Sequence, residues 1–241
     1  MCASCAARRR VGVVTGLVME ARIIARAANE GGHHRPHLKI AGPGAPTAQV
    51  TVDRLIAEGA EAILSFGLAG GLDPSIPPGA LIVPEGVLLP ESDGLKVLET
   101  DRRWRNRLVN LLSSGSEVRE NPLLCSFEPV LGVADKAKLH QDSEAGAVDM
   151  ESALIARAAA NRSVPFLALR AVSDCAATAI PAAAASAMTP GGRLNIWPII
   201  VALATGQLNL LDLLHVGRQS QLAAGNLSRA VHAALPAFSL A

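Results

Sequence analysis

The sequence predicts a single α/β domain whose mixed, mostly parallel central sheet is covered by helices on both faces. Three observations carry this. Its 241 residues suffice for one large buried core. Half of them are hydrophobic and 18% are charged, a balance that favours a packed globule over disorder. Short, wholly apolar runs also alternate with segments of helical spacing, and strands without an in/out alternation belong to sheets buried on both sides.

In chain order, Val11–Thr15 is a β-branched run ending at Gly16, the first buried strand. Val18 to about Glu30 reads as a helix, which Gly31 and Gly32 stop. His37–Ile40 is a short strand before the turn Gly42-Pro43-Gly44. Pro46 to Glu58 has helical spacing, with Val50, Val52, Leu55 and Ile56 as its apolar side. Ala62–Phe66 is another buried strand, and Gly67 to Gly71 follows as a glycine-rich loop. Leu81–Val83 is a strand after a Pro-Pro-Gly turn. Trp104 to Leu112 reads as a helix and Val130–Val133 as a strand. Ala147–Asp149 feeds an alanine-rich helix from Glu151 to Asn161, and Pro165–Val172 has the strongest strand signal of the chain. From Trp197 onward the chain reads as helical, with one break near Gly206. No repeat and no linker interrupts residues 11–241, so they are expected to form one domain.

Composition excludes several classes. A net charge of +1 gives no general pull towards nucleic acid or anionic lipid. Tyr is absent and aromatics are scarce, so no base-stacking platform for single strands is expected. Cys2 and Cys5 form a CxxC before Arg8, Arg9 and Arg10, but a zinc site needs two more ligands and no second CxxC exists. Residues 1–10 are therefore expected to be a frayed tail, with neither metal nor cofactor. Cys125 and Cys175 read as reduced thiols of a cytoplasmic protein. No secretory signal is expected. The stretch from Leu194 to Leu211 has no charge, but Asn195, Pro198, Gln207 and Asn209 and the turn signal at Thr205-Gly206 argue against a membrane span.

In such sheets a ligand binds beyond the carboxyl ends of the strands. That points to Gly16–Glu20, Gly67–Gly71, Asp149–Glu151 and Ser173–Asp174. Each place holds glycines, which let a ligand approach the backbone, or carboxylates, which are costly to bury without a partner or a task. Taken singly each has a plain reading: a tight turn at Gly70-Gly71, or a helix cap at Glu151 or Asp174.

The combination is more specific. VGVVTGLVME ending at Glu20, GLAGGLDP from Gly67, AVDMES around Glu151 and LRAVSD ending at Asp174 occur in this order. Together they resemble the purine nucleoside phosphorylase and nucleosidase superfamily over about residues 11 to 175, and within it the methylthioadenosine/S-adenosylhomocysteine nucleosidases. The resemblance implies that Glu20 is the base acting on an attacking water. It implies that Glu151 holds the ribose hydroxyls, with Met150 packed on the sugar. Asp174, placed by Ser173, would deliver a proton to N7 of the leaving base, and backbone groups of Ala69 and Gly70 would line the site. A homodimer is implied by the same relatives.

The chemistry is consistent with those residue types. Cleaving an N-glycosidic bond makes the sugar cation-like and the base anion-like, so an acid is needed on the base side and water or negative charge on the sugar side. Burial is expected to raise the pKa of Asp174, while Glu20 stays ionised and nearer water. Asp149 is expected to be structural, paired with Arg170. Phosphorylases must hold a phosphate dianion, usually with arginines near the first glycine loop and before the second. Here those places carry Glu20 and Ser65, and Arg22 reads as a solvated surface charge, so hydrolysis is favoured over phosphorolysis.

Three departures stand out. Leu68 occupies a place where these nucleosidases carry Ser or Thr. The segment from Gly132 to Gly146 is short, so base contacts cannot be assigned residue by residue, and Glu30 to Gly42 is short as well. The region of about 194–235 is rich in Leu, Ile, Val and Ala and carries Trp197. With GLVMEAR, GLAGGLDP and VDMES it resembles the hopanoid-associated phosphorylase (adenosylhopane nucleosidase) branch. That implies an adenine nucleoside with a triterpenoid at the 5′ carbon, an apolar groove for the lipid, and contact with the inner membrane surface. The plain reading of the same helices is ordinary core or a dimer interface. Two rival functions remain: a nucleosidase for small 5′ substituents, and a non-catalytic nucleoside-binding protein, for which three carboxylates together would be superfluous.

Overall fold

The computed structural model describes residues 10–30, 36–187, 189, 191–193, 195, 197–206 and 208–234. The CxxC of Cys2 and Cys5 and the helix stop at Gly31-Gly32 lie outside the described residues. Arg10, the last residue of the expected tail, is tied to Glu61 through its N–H and its carbonyl.

The chain runs β1 (Val11–Thr15), α1 (Val18–Glu30), β2 (His37–Ile40), α2 (Ala48–Ala57) and β3 (Ala62–Gly71). It continues with β4 (Leu81–Ile82), β5 (Gly86–Glu91), β6 (Gly94–Glu99), α3 (Arg102–Leu112), β7 (Val118–Arg119) and β8 (Leu123–Cys125). Then follow α4 (Val133–Ser143), β9 (Ala147–Asp149), α5 (Ser152–Ala160), β10 (Phe166–Asp174), α6 (Ala182–Ser186), α7 (Trp197–Ala204) and α8 (Leu210–Ala234). Local chemistry explains several of these. The whole of β1 is buried, as an all-apolar run requires. Helix α3 starts where the Asp101 side chain accepts the Trp104 N–H at 2.8 Å, and Trp104, Leu108 and Leu112 form its buried stripe.

All strands among the described residues join one mixed sheet, and six of its nine pairings are parallel. One face is covered by α2 and α5, whose Val52, Leu55, Ala153, Ile155 and Ala156 share a core with Ile63 and Val172. The other face carries α1, α3 and α8 on Phe66, Leu167 and Leu169. In α8 the buried residues Ala223, Leu227, Ala230, Val231 and Ala234 follow helical spacing. The apolar C-terminal region is thus divided. The second half of α8 is core, whereas Trp197 on α7 is 66% exposed and Leu211 at the start of α8 is 71% exposed. No described helix is long and apolar enough to cross a membrane.

Three expectations are corrected. Gly67–Gly71 is the second half of β3, because β10 pairs along it and β9 joins at Gly70 and Gly71; backbone pairing on both edges overrides the weak strand preference of glycine. Val130–Val133 is no strand: Val133 opens α4, while Val130 and Leu131 owe their apolar character to a cleft that they line. The strand in that region is instead β8, held between β5 and β9. Val50 lies on the outer side of α2 and is exposed. The β5–β6 hairpin was not anticipated, although Asp93-Gly94 at its turn is a hairpin signal.

Candidate active site

The site lies where β3 changes partner. Along one edge, β1 pairs with Ala62 to Ser65 and the antiparallel β9 with Gly70 and Gly71, so a gap opens between the C-terminal ends of β1 and β9. Backbone groups on such an edge need other partners, and ligands of open α/β sheets bind at such switch points. Glu20, on the first turn of α1, closes the gap. Its Oε1 accepts the Leu68 N–H at 2.8 Å, and its Oε2 accepts the N–H groups of Leu17 at 2.9 Å and Gly16 at 3.1 Å. The next free N–H of that turn, from Val18, goes to the Gly192 carbonyl at 2.9 Å.

Glu20 is only 3% exposed, contrary to the expectation of a water-facing carboxylate. Burial raises its pKa, while the charge of Arg170 and the N–H groups of Leu68, Leu17 and Gly16 act against that rise. Proximity to the strand edge, invisible in the sequence, is what draws this side chain inward.

Arg170 on β10 is the hub beneath Glu20. Its guanidinium bonds Asp149 through Nε at 2.7 Å, Ser65 Oγ at 2.9 Å and Ser152 Oγ at 3.0 Å. The expected pairing of Asp149 with Arg170 is therefore present, and Asp149 also accepts the Ser152 N–H at the start of α5. Ser65 serves this network. Among the described residues the buried Nη1 of Arg170 has no hydrogen-bond partner. A Cβ on Gly67 would lie 2.3 Å from that Nη1 and 2.3 Å from Glu20 Oε1. The bare glycine thus lets a cationic donor and a carboxylate face the same small space.

Glu151 precedes α5 but does not cap it with its side chain. Its Oε1 accepts the Gly44 N–H at 3.0 Å, and its Oε2 lies 3.7 Å from Arg170. Burial first, then the charges of Asp149 and Glu20, push its pKa up to about 7 against the opposing pull of Arg170. Met150 stands beside it on the cleft wall.

At the other end, Ser173 Oγ donates to Asp174 Oδ1 at 2.7 Å. Asp174 Oδ2 is bonded to the ammonium of Lys136, which is fully buried on α4. The sequence offered burial and Ser173 as the influences on Asp174; the structure adds a buried cation in direct contact. Along β3, Gly67 and Gly70 are three residues, roughly 10 Å, apart, so the Glu20–Arg170 and Asp174 ends are spaced far enough apart to admit a small organic molecule between them.

Glu20, Ala69, Gly70, Met150, Glu151, Ser173 and Asp174 all line one cleft of about 510 Å³. Its remaining walls are mostly apolar, from Leu17, Met19, Pro43, Val130, Leu131, Ile180, Ala184 and Val216. Trp197 is not among the residues that line this cleft. Arg22 is exposed, as expected. Among the described residues no cluster of His, Cys, Asp or Glu is arranged to hold a metal ion.

Two participants escaped the sequence analysis. Arg170 was seen as a partner of Asp149 but not as a neighbour of Glu20. Lys136 was not singled out at all, because ADKAKLHQD reads as a solvated helix and nothing local distinguishes Lys136 from the exposed Lys138.

A family model of the phosphorylase superfamily matches residues 28–189. No curated protein matches the chain. Solved structures do. The 5′-methylthioadenosine/S-adenosyl homocysteine nucleosidase of Campylobacter jejuni is 15% identical with a TM-score of 0.64, over 93% of this chain and 99% of that one. The S-adenosylhomocysteine nucleosidase of Streptococcus pyogenes, solved with 5-methylthiotubericidin, is 16% identical with a TM-score of 0.62, over 94% and 99%. A futalosine hydrolase mutant of Helicobacter pylori is 17% identical with a TM-score of 0.58, over 68% and 89%. At these identities the likeness establishes a common fold. With the family model spanning more than half of its length, the chain belongs to the phosphorylase superfamily.

Proposed function

We propose that the protein hydrolyses the N-glycosidic bond of an adenine nucleoside. The observation that carries this reading is the use of the Glu20 carboxylate as the internal acceptor for Gly16, Leu17 and Leu68. The N–H groups at a helix start are where a phosphate would otherwise bind. Here a fixed negative group takes them, and it repels a phosphate dianion while suiting water as the nucleophile.

In this reading water sits between Glu20 and the unpartnered Nη1 of Arg170. Glu20, its pKa raised by burial, takes a proton from the water as it attacks C1′. Glu151 accepts from the ribose hydroxyls and Met150 packs on the sugar. The electron pair of the broken bond stays on the base, and Asp174, held by Ser173, supplies the proton at N7. The apolar cleft walls at Ile180, Ala184 and Val216 support a substrate with a large apolar 5′ substituent, adenosylhopane being the proposed one. Its product would be ribosylhopane, and the uncharged exposed side chains of α7 would then meet a membrane surface.

Adenine release from adenosylhopane and from methylthioadenosine, each with and without phosphate, tests the reading. Phosphate-independent release that is lost in Asp174→Asn is expected, with the lipid-linked substrate preferred. A strict phosphate requirement would overturn hydrolysis. Preference for methylthioadenosine would overturn the lipid-linked substrate, and ligand binding without turnover would overturn catalysis.

A further inference from the structure

Lys136 is the one buried residue of α4, and none of its surface reaches solvent. A buried ammonium is unfavourable unless each proton finds an acceptor. Lys136 Nζ has three: Asp174 Oδ2, the Thr178 carbonyl at 2.8 Å and the Cys175 carbonyl at 3.2 Å. A lysine serving only as a staple between α4 and the turn after β10 would be satisfied by carbonyls. This one contacts the carboxylate that faces the cleft.

We infer that Lys136 is a positioning residue for the base end of the site, acting through Asp174 as a buried source of its proton. The inference rests on the proposed glycosidic cleavage. Ser173 holds Oδ1 and Lys136 holds Oδ2, so the carboxylate is fixed in orientation. When an Nζ–H bond breaks and an Oδ2–H bond forms, the neutral amine keeps two N–H groups for the two carbonyls. Both states of the pair are then fully hydrogen-bonded. The carboxylic acid so formed gives its proton to the base nitrogen as the glycosidic electron pair arrives there. Solvent returns a proton to the pair when the base leaves. The titratable groups against it are Asp174 on β10 and Cys175 just after it. His215 on α8 stands behind Gln219, which bonds Cys175 and Thr178.

The test compares Lys136→Met, Asp174→Asn and the double variant in kcat, KM and pH profile of adenine release. Lys136→Gln is the second variant should the methionine fail to fold, since its amide N–H groups still serve a carbonyl. The expected result is a loss of about 100-fold in kcat, a shifted pH profile, and a double variant no slower than Asp174→Asn. A wild-type kcat and pH profile with only a lowered Tm, or additive losses in the double variant, would overturn the inference. If wild type releases no adenine, the functional reading fails separately. The ¹³Cγ titration of Asp174, recorded without substrate, still decides: a midpoint moved by Lys136→Met or Lys136→Gln supports the coupling, and an unmoved one overturns it.

Discussion

Glu20 Oε1 accepts the backbone N–H of Leu68 at 2.8 Å, so a side chain completes the edge of β3 where no strand does. Three backbone donors converge on this carboxylate. An amide in its place turns one acceptor into a donor facing a donor. Glu20→Gln is expected to lose about 1–3 kcal/mol of stability from the unsatisfied buried group. A loss of about 10²- to 10⁴-fold in turnover should accompany it, the usual range for removing a general base. Urea denaturation and steady-state adenine release measure the two effects; undiminished turnover would remove Glu20 from the chemistry.

Gly67→Ala is expected to inactivate the enzyme. The added methyl would lie 2.3 Å from both Arg170 Nη1 and Glu20 Oε1, so one of them must move out of the shared space. Overpacking of this kind costs about 1–3 kcal/mol. Thermal melting should therefore show a folded but less stable protein, with turnover reduced far more than stability.

Removing the Arg170 guanidinium should be the most destabilising of these changes. It leaves Asp149 buried beside Glu151 and Glu20 without a cation, and breaking a buried pair costs about 3–5 kcal/mol. Arg170→Met is expected to approach that loss in denaturant unfolding. Adding Asp149→Asn should recover part of it, because the orphaned charge is then gone; full additivity of the two losses would contradict the network.

Glu151 makes stability depend on pH with a definite sign. Its pKa rises from an ordinary 4.5 to about 7 in the folded protein. Between these values the folded state binds a proton that the unfolded state has released, so stability falls as pH rises from about 4.5 to about 7 and levels off above. Glu20, also raised, contributes in the same direction. Glu151→Gln should flatten the dependence and be relatively more stable at pH 8 than at pH 5, measured by urea midpoints. If an ionised Glu151 is needed to accept the ribose hydroxyls, wild-type kcat/KM should climb through about pH 7, a limb absent from the variant.

The sequence by itself determined many of the elements and the neighbourhood of the site. Apolar runs and helical spacing are local properties, so β1, α1, β2, α5 and the strand at Phe166 were legible from the order of residues alone. The rule that ligands gather beyond strand ends then pointed to the segments that hold Glu20, Glu151 and Asp174, the resemblance picked out these three carboxylates, and the fold brings them to one cleft. Only the tertiary structure decided how these charges are paired. Glu20 is buried because β3 exchanges β1 for β9 opposite it, a consequence of pairing between segments far apart in the chain. Lys136 reaches Asp174 across 38 positions, and nothing on its own helix marks it. Local pattern encodes which side of an element is buried; the partner of a buried charge is set by which elements meet, and that is fixed only when the sheet is assembled.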